Sequence, residues 1–200
     1  VIDKNRLQAF DQSSIISNWR MRSTSEFRAV LTPLSSHGLW AKKNPFDFIK
    51  PVSSADVQIA AGYLEYFAGL GSELKGETVP ATATGLHLTL REPYGVVARI
   101  VPFNHPFMFA AAHLAAPLMA GNGVVIKTPE TSPLSGSILG ELCRDHLPRG
   151  LVNIVHGRGA PAGDALVRHP LIRRIGFTGS VPTGLAIHRA AAANSVKHVT

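Results

Sequence analysis

The stretch VVARIVPFNHP, which runs from Val96 to Pro106, decides the fold. The run Val96–Val101 is almost continuously apolar, which is typical of a strand buried on both faces of a parallel sheet. The turn residues of Pro102–Asn104 follow it, and Pro106 is a residue type that helices accept in their first turn. This stretch therefore predicts a strand, a sharp turn and a helix.

The same order recurs downstream. Apolar runs predict strands at Val96–Val101, Val124–Lys127, Val152–His156 and Ile172–Thr178. Periodic windows predict helices over 106–119, 133–146, 161–168 and 182–193. A βαβαβαβα order predicts an α/β fold built on a doubly wound parallel sheet. Ligands of such sheets bind beyond the carboxyl ends of the strands, so functional residues are expected at Pro102–Asn104, Lys127–Glu130, Gly157–Gly163 and Gly179–Gly184.

The upstream part carries weaker signals. Residues 1–54 predict an N-terminal helical arm and little more. Ala55–Leu74 has apolar residues at helical spacing, with Ser54 as a candidate N-cap. Thr82–Glu92 alternates like a strand, with its leucines on one side.

Composition narrows the function classes. Apolar residues make up 45% and charged residues 16% of the 200 positions, as in globular proteins. The net charge of +7 comes without basic clusters or nucleic-acid-binding motifs, so we expect no nucleic-acid partner. No apolar run is long enough for a membrane span, and no signal peptide is recognisable at the first residues. The single cysteine, Cys143, excludes an intramolecular disulfide, and we expect a cytoplasmic protein.

Glu130 and Lys127 are candidates for nucleotide binding. An acidic residue beyond the second strand suits hydrogen bonding to an adenosine ribose, and a carboxylate there disfavours a 2′-phosphate. A salt bridge at a helix start explains Glu130 equally well. The glycines Gly157, Gly159 and Gly163 resemble a phosphate-binding fingerprint imperfectly, and they also suit a simple tight turn.

The fourth strand ends in Gly179-Ser180, with Pro182 expected as the first helical residue. Free N–H groups at a helix start bind pyrophosphate readily, but ordinary N-capping by Ser180 explains the same residues. The residues by themselves thus predict a nucleotide-binding α/β domain.

Taken together, the segments resemble the aldehyde dehydrogenase superfamily. The similarity rests on motifs in the family's order, namely 64–70 (LEYFAGL), 76–80 (GETVP), 92–97 (EPYGVV), 102–106 (PFNHP), 120–127 (AGNGVVIK) and 177–180 (FTGS). The resemblance implies a Rossmann-like cofactor domain over 94–200, a helical lead-in over 55–82 and part of an oligomerisation hairpin over 83–93. Residues 1–54 match poorly.

The resemblance also implies roles. Asn104 would be the oxyanion-hole donor, although a turn residue between prolines is the simpler interpretation of that residue alone. The residues that would contact NAD, with NADP as the alternative, are Ile100, Val101, Pro102, Phe103, Lys127, Glu130, Gly159, Phe177, Gly179 and Ser180. The substrate would be a small-molecule aldehyde, and an intact protein would form homodimers or homotetramers. Phe103 and Val181-Pro182 depart from the residues that many members carry.

The implied reaction is oxidation of an aldehyde to a carboxylic acid through a cysteine thiohemiacetal. The general base and the nucleophilic cysteine of the family would lie beyond Thr200, so we expect the chain alone to be inactive. Cys143 lies inside a predicted helix and is expected to be buried and inert. Two alternatives remain open: an inactive remnant that binds nucleotide or a partner, and a reductase of acyl-CoA or acyl phosphate on the same scaffold.

Overall fold

A computed structural model describes residues 54–80, 84–193 and 195–200 of the chain. The expected N-terminal arm lies outside these residues, apart from Ser54. No helix in the described part is long and apolar enough to cross a membrane.

Within the described residues the domain is built on a five-stranded, all-parallel sheet. Its strands are β3 (Val96–Ile100), β4 (Gly123–Lys127), β5 (Val152–Val155), β6 (Ile172–Phe177) and β7 (His198–Val199). The spatial order is β5-β4-β3-β6-β7. β3, the first strand of this sheet in chain order, therefore lies in the middle, and later strands are added on both sides of it. This order confirms the doubly wound sheet.

Helices cover both faces of the sheet, in two apolar clusters. The helices are α1 (Ser54–Gly69), α2 (Pro106–Met119), α3 (Leu134–His146), α4 (Asp164–Arg168) and α5 (Val181–Ala192). α1, α2 and α3 pack on one face, where the core includes Leu64, Leu114 and Leu139. α4 and α5 pack on the other face, around Leu166 and Ile187. The buried side chains of β4 serve both clusters, which is why its sequence is continuously apolar.

Most predicted boundaries agree with the structure to within one residue, and the exceptions have local causes. α1 ends at Gly69 rather than Leu74, because a short 3₁₀ turn, Gly71–Glu73, follows it. The helix predicted over 161–168 is shorter in the structure, where α4 covers only Asp164–Arg168. A π-type turn, Gly159–Gly163, precedes it. The strand β7 was not predicted, because two residues carry too little pattern to be recognised.

The predicted strand over Thr82–Glu92 is much shorter than expected. Within its described residues only β2 (His87–Leu88) is a strand, and it pairs antiparallel with β1 (Thr78–Val79). Both strands are exposed, and the leucines of this ribbon face no core in the described part of the chain. The alternation of apolar and polar residues correctly predicted a strand here, but it could not predict how many residues pair with β1.

Candidate functional site

The centre of the candidate site is the crevice between β3 and β6. β3 and β6 are neighbours in the sheet, but the helices that follow them pack on opposite faces. α2 follows β3 on one face, and α5 follows β6 on the other. Such a switch point is where open α/β sheets bind ligands. The Thr178 N–H donates to the Ile100 carbonyl at 3.2 Å, which holds the two strand ends side by side. Two predicted segments therefore meet here, 100–104 and 177–180.

Asn104 lies in the bend between β3 and α2, beyond the carboxyl end of β3. Its side chain is exposed, and so is that of the preceding Phe103. The following residue, His105, is tied down: its Nδ1 lies 2.9 Å from Oδ1 of Asp56, a buried carboxylate in the first turn of α1. The sequence did not predict this contact between His105 and Asp56, because no local pattern relates residues 49 positions apart.

A second part of the site lies at the ends of β4 and β5. The Gly159 N–H donates to Oε2 of Glu130 at 2.9 Å, so the carboxylate is fixed on the loop after the neighbouring strand. Its other oxygen, Oε1, accepts no hydrogen bond from the described residues. A Cβ built on Gly159 would meet nothing within 4 Å, so packing in the described part does not require glycine there. The fixed carboxylate thus faces an open surface.

Gly157, by contrast, is required by the backbone. Its φ of +150° disfavours other residues, and a Cβ there would come 2.7 Å from the Cβ of Ala162. In the loop 157–163, Gly157 is therefore needed for the turn, whereas Gly159 leaves open space beside the backbone.

Lys127 differs from its neighbour Glu130 in being only 5% exposed. Burial lowers the pKa of the Lys127 ammonium, and the negative charge of Glu130 opposes that shift. Its side chain is therefore largely shielded from solvent, unlike that of Glu130.

His156 links these loops, and the sequence analysis missed it. Its Nδ1 lies 2.7 Å from the Thr128 hydroxyl and its Nε2 lies 3.0 Å from the Ser137 hydroxyl. Thr128 directly follows β4, whereas Ser137 lies in α3. A histidine directly after a strand at the ligand edge was the available signal.

The start of α5 is the third part of the site. Ser180 occupies the N-cap position, but its hydroxyl bonds the Thr183 hydroxyl at 2.9 Å and caps no backbone N–H. The helix begins at Val181, so Pro182 is its second residue rather than its first. The Phe177 ring packs so closely over Gly179 that a Cβ there would lie 2.5 Å from it. The helix start therefore has N–H groups that its own N-cap side chain leaves unbonded.

Cys143 is outside the site, as expected. It is buried in α3 within the core, and burial raises the pKa of its thiol to about 12. A protonated, enclosed thiol is a poor nucleophile. The described residues contain no cluster of side chains that suits a metal ion.

The chain is similar to known proteins in both sequence and fold. Residues 49–200 match the model of the aldehyde dehydrogenase family. Over 139 residues the chain is 51% identical to the aldehyde dehydrogenase tropH of Talaromyces stipitatus, covering 68% of this chain but only 27% of that protein.

Two solved structures share the fold. Succinate-semialdehyde dehydrogenase from Burkholderia pseudomallei superposes with a TM-score of 0.82 at 26% identity, over 98% of this chain and 42% of that one. PnpE in complex with nicotinamide adenine dinucleotide gives 0.69 at 32% identity, over 98% and 37%. The chain thus spans well under half the length of these proteins. The match over residues 49–200, on top of the doubly wound sheet and its loop motifs, shows that this chain belongs to the aldehyde dehydrogenase family.

Proposed function

We propose that this chain binds NAD along the carboxyl edge of its sheet. The observation that carries the proposal is Glu130, held by the Gly159 N–H with one oxygen left over. A carboxylate that is fixed and still has a free acceptor suits the hydroxyls of an adenosine ribose. The open space at Gly159 gives the adenine side room to approach the backbone. Lys127 would donate to the same ribose.

The pyrophosphate and nicotinamide fit the neighbouring crevice. The first turn of α5 offers N–H groups and the positive end of a helix dipole, which favour an anion beside Ser180. Ile100, Val101, Pro102 and Phe103 leave β3 at that crevice and would line the nicotinamide, opposite Phe177 and Gly179. We infer NAD rather than NADP, because a 2′-phosphate beside the Glu130 carboxylate would be repelled.

In an intact enzyme the reaction would be oxidation of an aldehyde to a carboxylic acid. A cysteine thiolate supplied outside the described residues would add to the aldehyde carbon and form a thiohemiacetal. Asn104 would donate its side-chain N–H to the oxygen on which negative charge develops. Bound NAD would supply the acceptor for the hydride that the thiohemiacetal carbon must lose to become a thioester, and water would then hydrolyse that thioester to the acid and free the thiolate.

For the 200 residues alone the same proposal predicts binding without turnover. The chain has one cysteine, and its thiol is buried in α3, away from the sheet edge. This observation favours a nucleotide-binding role for the chain by itself. Cytoplasmic location and homo-oligomerisation are further parts of the proposal, supported by the family membership.

Calorimetric titration of the chain with NAD and with NADP tests the cofactor proposal. We expect saturable binding that is tighter for NAD, and absence of binding for both dinucleotides would refute it. In a second assay, chain, aldehyde and NAD should give no NADH, and clear turnover would contradict the role assigned to Cys143. Sequencing the gene beyond the codon for Thr200 would show whether a general base and a second cysteine follow.

A further inference from the structure

The His156 bridge, defined as the contacts of His156 with Thr128 and Ser137, anchors the loop that carries Glu130. Thr128 precedes this carboxylate by two positions and Ser137 follows it by seven, so the bridge holds both ends of the loop. A hydroxyl can donate or accept, so the bridge forms with either tautomer of a neutral imidazole. With both ring nitrogens engaged, the orientation of the imidazole is fixed.

The same histidine belongs to the loop that holds the carboxylate directly. Three positions after His156, the Gly159 N–H donates to Glu130. The Thr128 N–H also donates to the Val155 carbonyl at 3.1 Å, which continues the strand pairing up to the bridge. The two loops are therefore joined on both sides of the carboxylate, and neither can shift without breaking a hydrogen bond.

We infer that His156 is a positioning residue that restrains Glu130 and thereby sets the preference for NAD over NADP. The inference rests on the proposed cofactor site. A 2′-phosphate can enter only if the carboxylate moves away, because two negative groups in contact repel each other. The bridge opposes that movement, so the discrimination depends on the rigidity of the loop as well as on the charge of Glu130.

Thr128→Val and His156→Ala test the bridge with little risk to folding. Valine keeps the Thr128 methyl that packs against Gly136 and replaces only the hydroxyl with a second methyl. His156 is exposed, so its removal leaves no cavity in the core. Thr131→Val is the matched control, since it makes the same chemical change at an exposed position of the same loop.

The binding measurement is calorimetric titration of each variant with NAD and with NADP. We expect Thr128→Val, which removes one hydrogen bond of the bridge, to weaken NAD binding about three- to tenfold without a matching loss for NADP. His156→Ala removes both hydrogen bonds of the bridge and should weaken NAD binding at least as much. The double variant should bind no more weakly than His156→Ala alone, because that change already removes the contact with Thr128. Thr131→Val should leave both affinities unchanged. Equal losses for NAD and NADP, or the same loss in the control, would overturn the inference.

A measurement without cofactor separates this inference from the proposed function. Hydrogen exchange of the Gly159 amide, followed by NMR, reports its bond to Glu130 directly. Exchange should accelerate at least about threefold in both bridge variants, since the loss of one hydrogen bond shifts such equilibria by that order, and not in Thr131→Val. An unchanged rate rejects the positioning role. Accelerated exchange together with absence of dinucleotide binding would reject the cofactor proposal but keep the positioning role.

Discussion

At the residue scale, Glu130 and Lys127 show how neighbouring charged groups take different roles. Lys127 is the last residue of β4 and Glu130 lies three positions beyond it. The carboxylate is exposed and accepts a hydrogen bond from a backbone N–H, whereas the lysine is buried. Strand geometry explains the difference, because Lys127 is still part of the buried strand and Glu130 is beyond its end. A fixed, accessible carboxylate is the group that best distinguishes a ribose from a phosphate.

Glu130→Gln should therefore weaken NAD selectively. The amide keeps the size of the side chain but loses the charge that strengthens hydrogen bonds to the ribose, so we expect KM for NAD to rise roughly tenfold in an intact enzyme. The KM for the aldehyde should change little, as measured by steady-state kinetics. Glu141→Gln, an exposed change on α3, is the control. Equal increases in both KM values would contradict the assignment.

At the scale of elements, α1 is joined to the loop of Asn104 by the pair Asp56–His105. The carboxylate is buried, and it accepts from a residue that directly follows the candidate oxyanion donor. A helix that precedes the cofactor domain in sequence thus helps to position the start of α2.

Asp56→Ala should lower the free energy of unfolding by about 1–3 kcal/mol, because a buried hydrogen-bonded carboxylate is lost. Asp145→Ala is the matched control, since its pair with Arg144 is exposed and contributes little. Urea unfolding of both variants measures the difference. Equal losses would show that the Asp56–His105 tie does not stabilise the fold.

The packing of α2 on β3 predicts a pH dependence of stability. Burial, and secondarily the positive charge of Arg99, lowers the pKa of His113 from 6.5 to about 4. Below pH 6.5 the unfolded chain binds a proton that the folded chain excludes, so stability falls as the pH drops through this window. We expect His113→Gln to flatten the unfolding free energy between pH 6.5 and 4. His188→Gln, an exposed change on α5, should keep the wild-type slope, and an unchanged slope in His113→Gln would refute the prediction.

At the scale of the whole molecule, the ribbon of β1, β2 and the residues that flank β2 exposes several large apolar side chains. Its large side chains with a substantial exposed fraction are Val79, Leu86, Leu88 and Leu90. An unpaired strand edge beside apolar side chains is a surface that a second chain can cover. We therefore place the proposed homo-oligomer contact on this ribbon.

Leu90→Lys should reduce self-association, because it places a charge where the partner would bury a leucine. Size-exclusion chromatography with light scattering measures the molar mass across a dilution series. Val196→Lys is the control, because Val196 is also an exposed apolar residue but lies far along the chain from the ribbon. A wild-type chain that is monomeric at all concentrations, or equal effects of both variants, would contradict this placement.

The sequence predicts the layout of the domain well because buried parallel strands and their helices leave strong local patterns. The runs at Val96, Val124, Val152 and Ile172 each became a strand of the sheet. Short or exposed pairings did not leave such patterns, so β7 was missed and the ribbon strand was predicted too long. The candidate site shows the same division: the loops that follow the buried strands were predicted from the sequence, whereas the contacts between those loops, such as those of His156, were not.

The sequence by itself determined the order of elements, the buried strands and the loops at the ligand edge, because periodicity and turn chemistry act over a few neighbouring residues. Only the tertiary structure decided which of those loops touch. The ties of Asp56 to His105, of His156 to Thr128 and of Glu130 to Gly159 span 49, 28 and 29 positions. They exist because the order of strands in the sheet brings distant segments side by side, and no local pattern encodes that order.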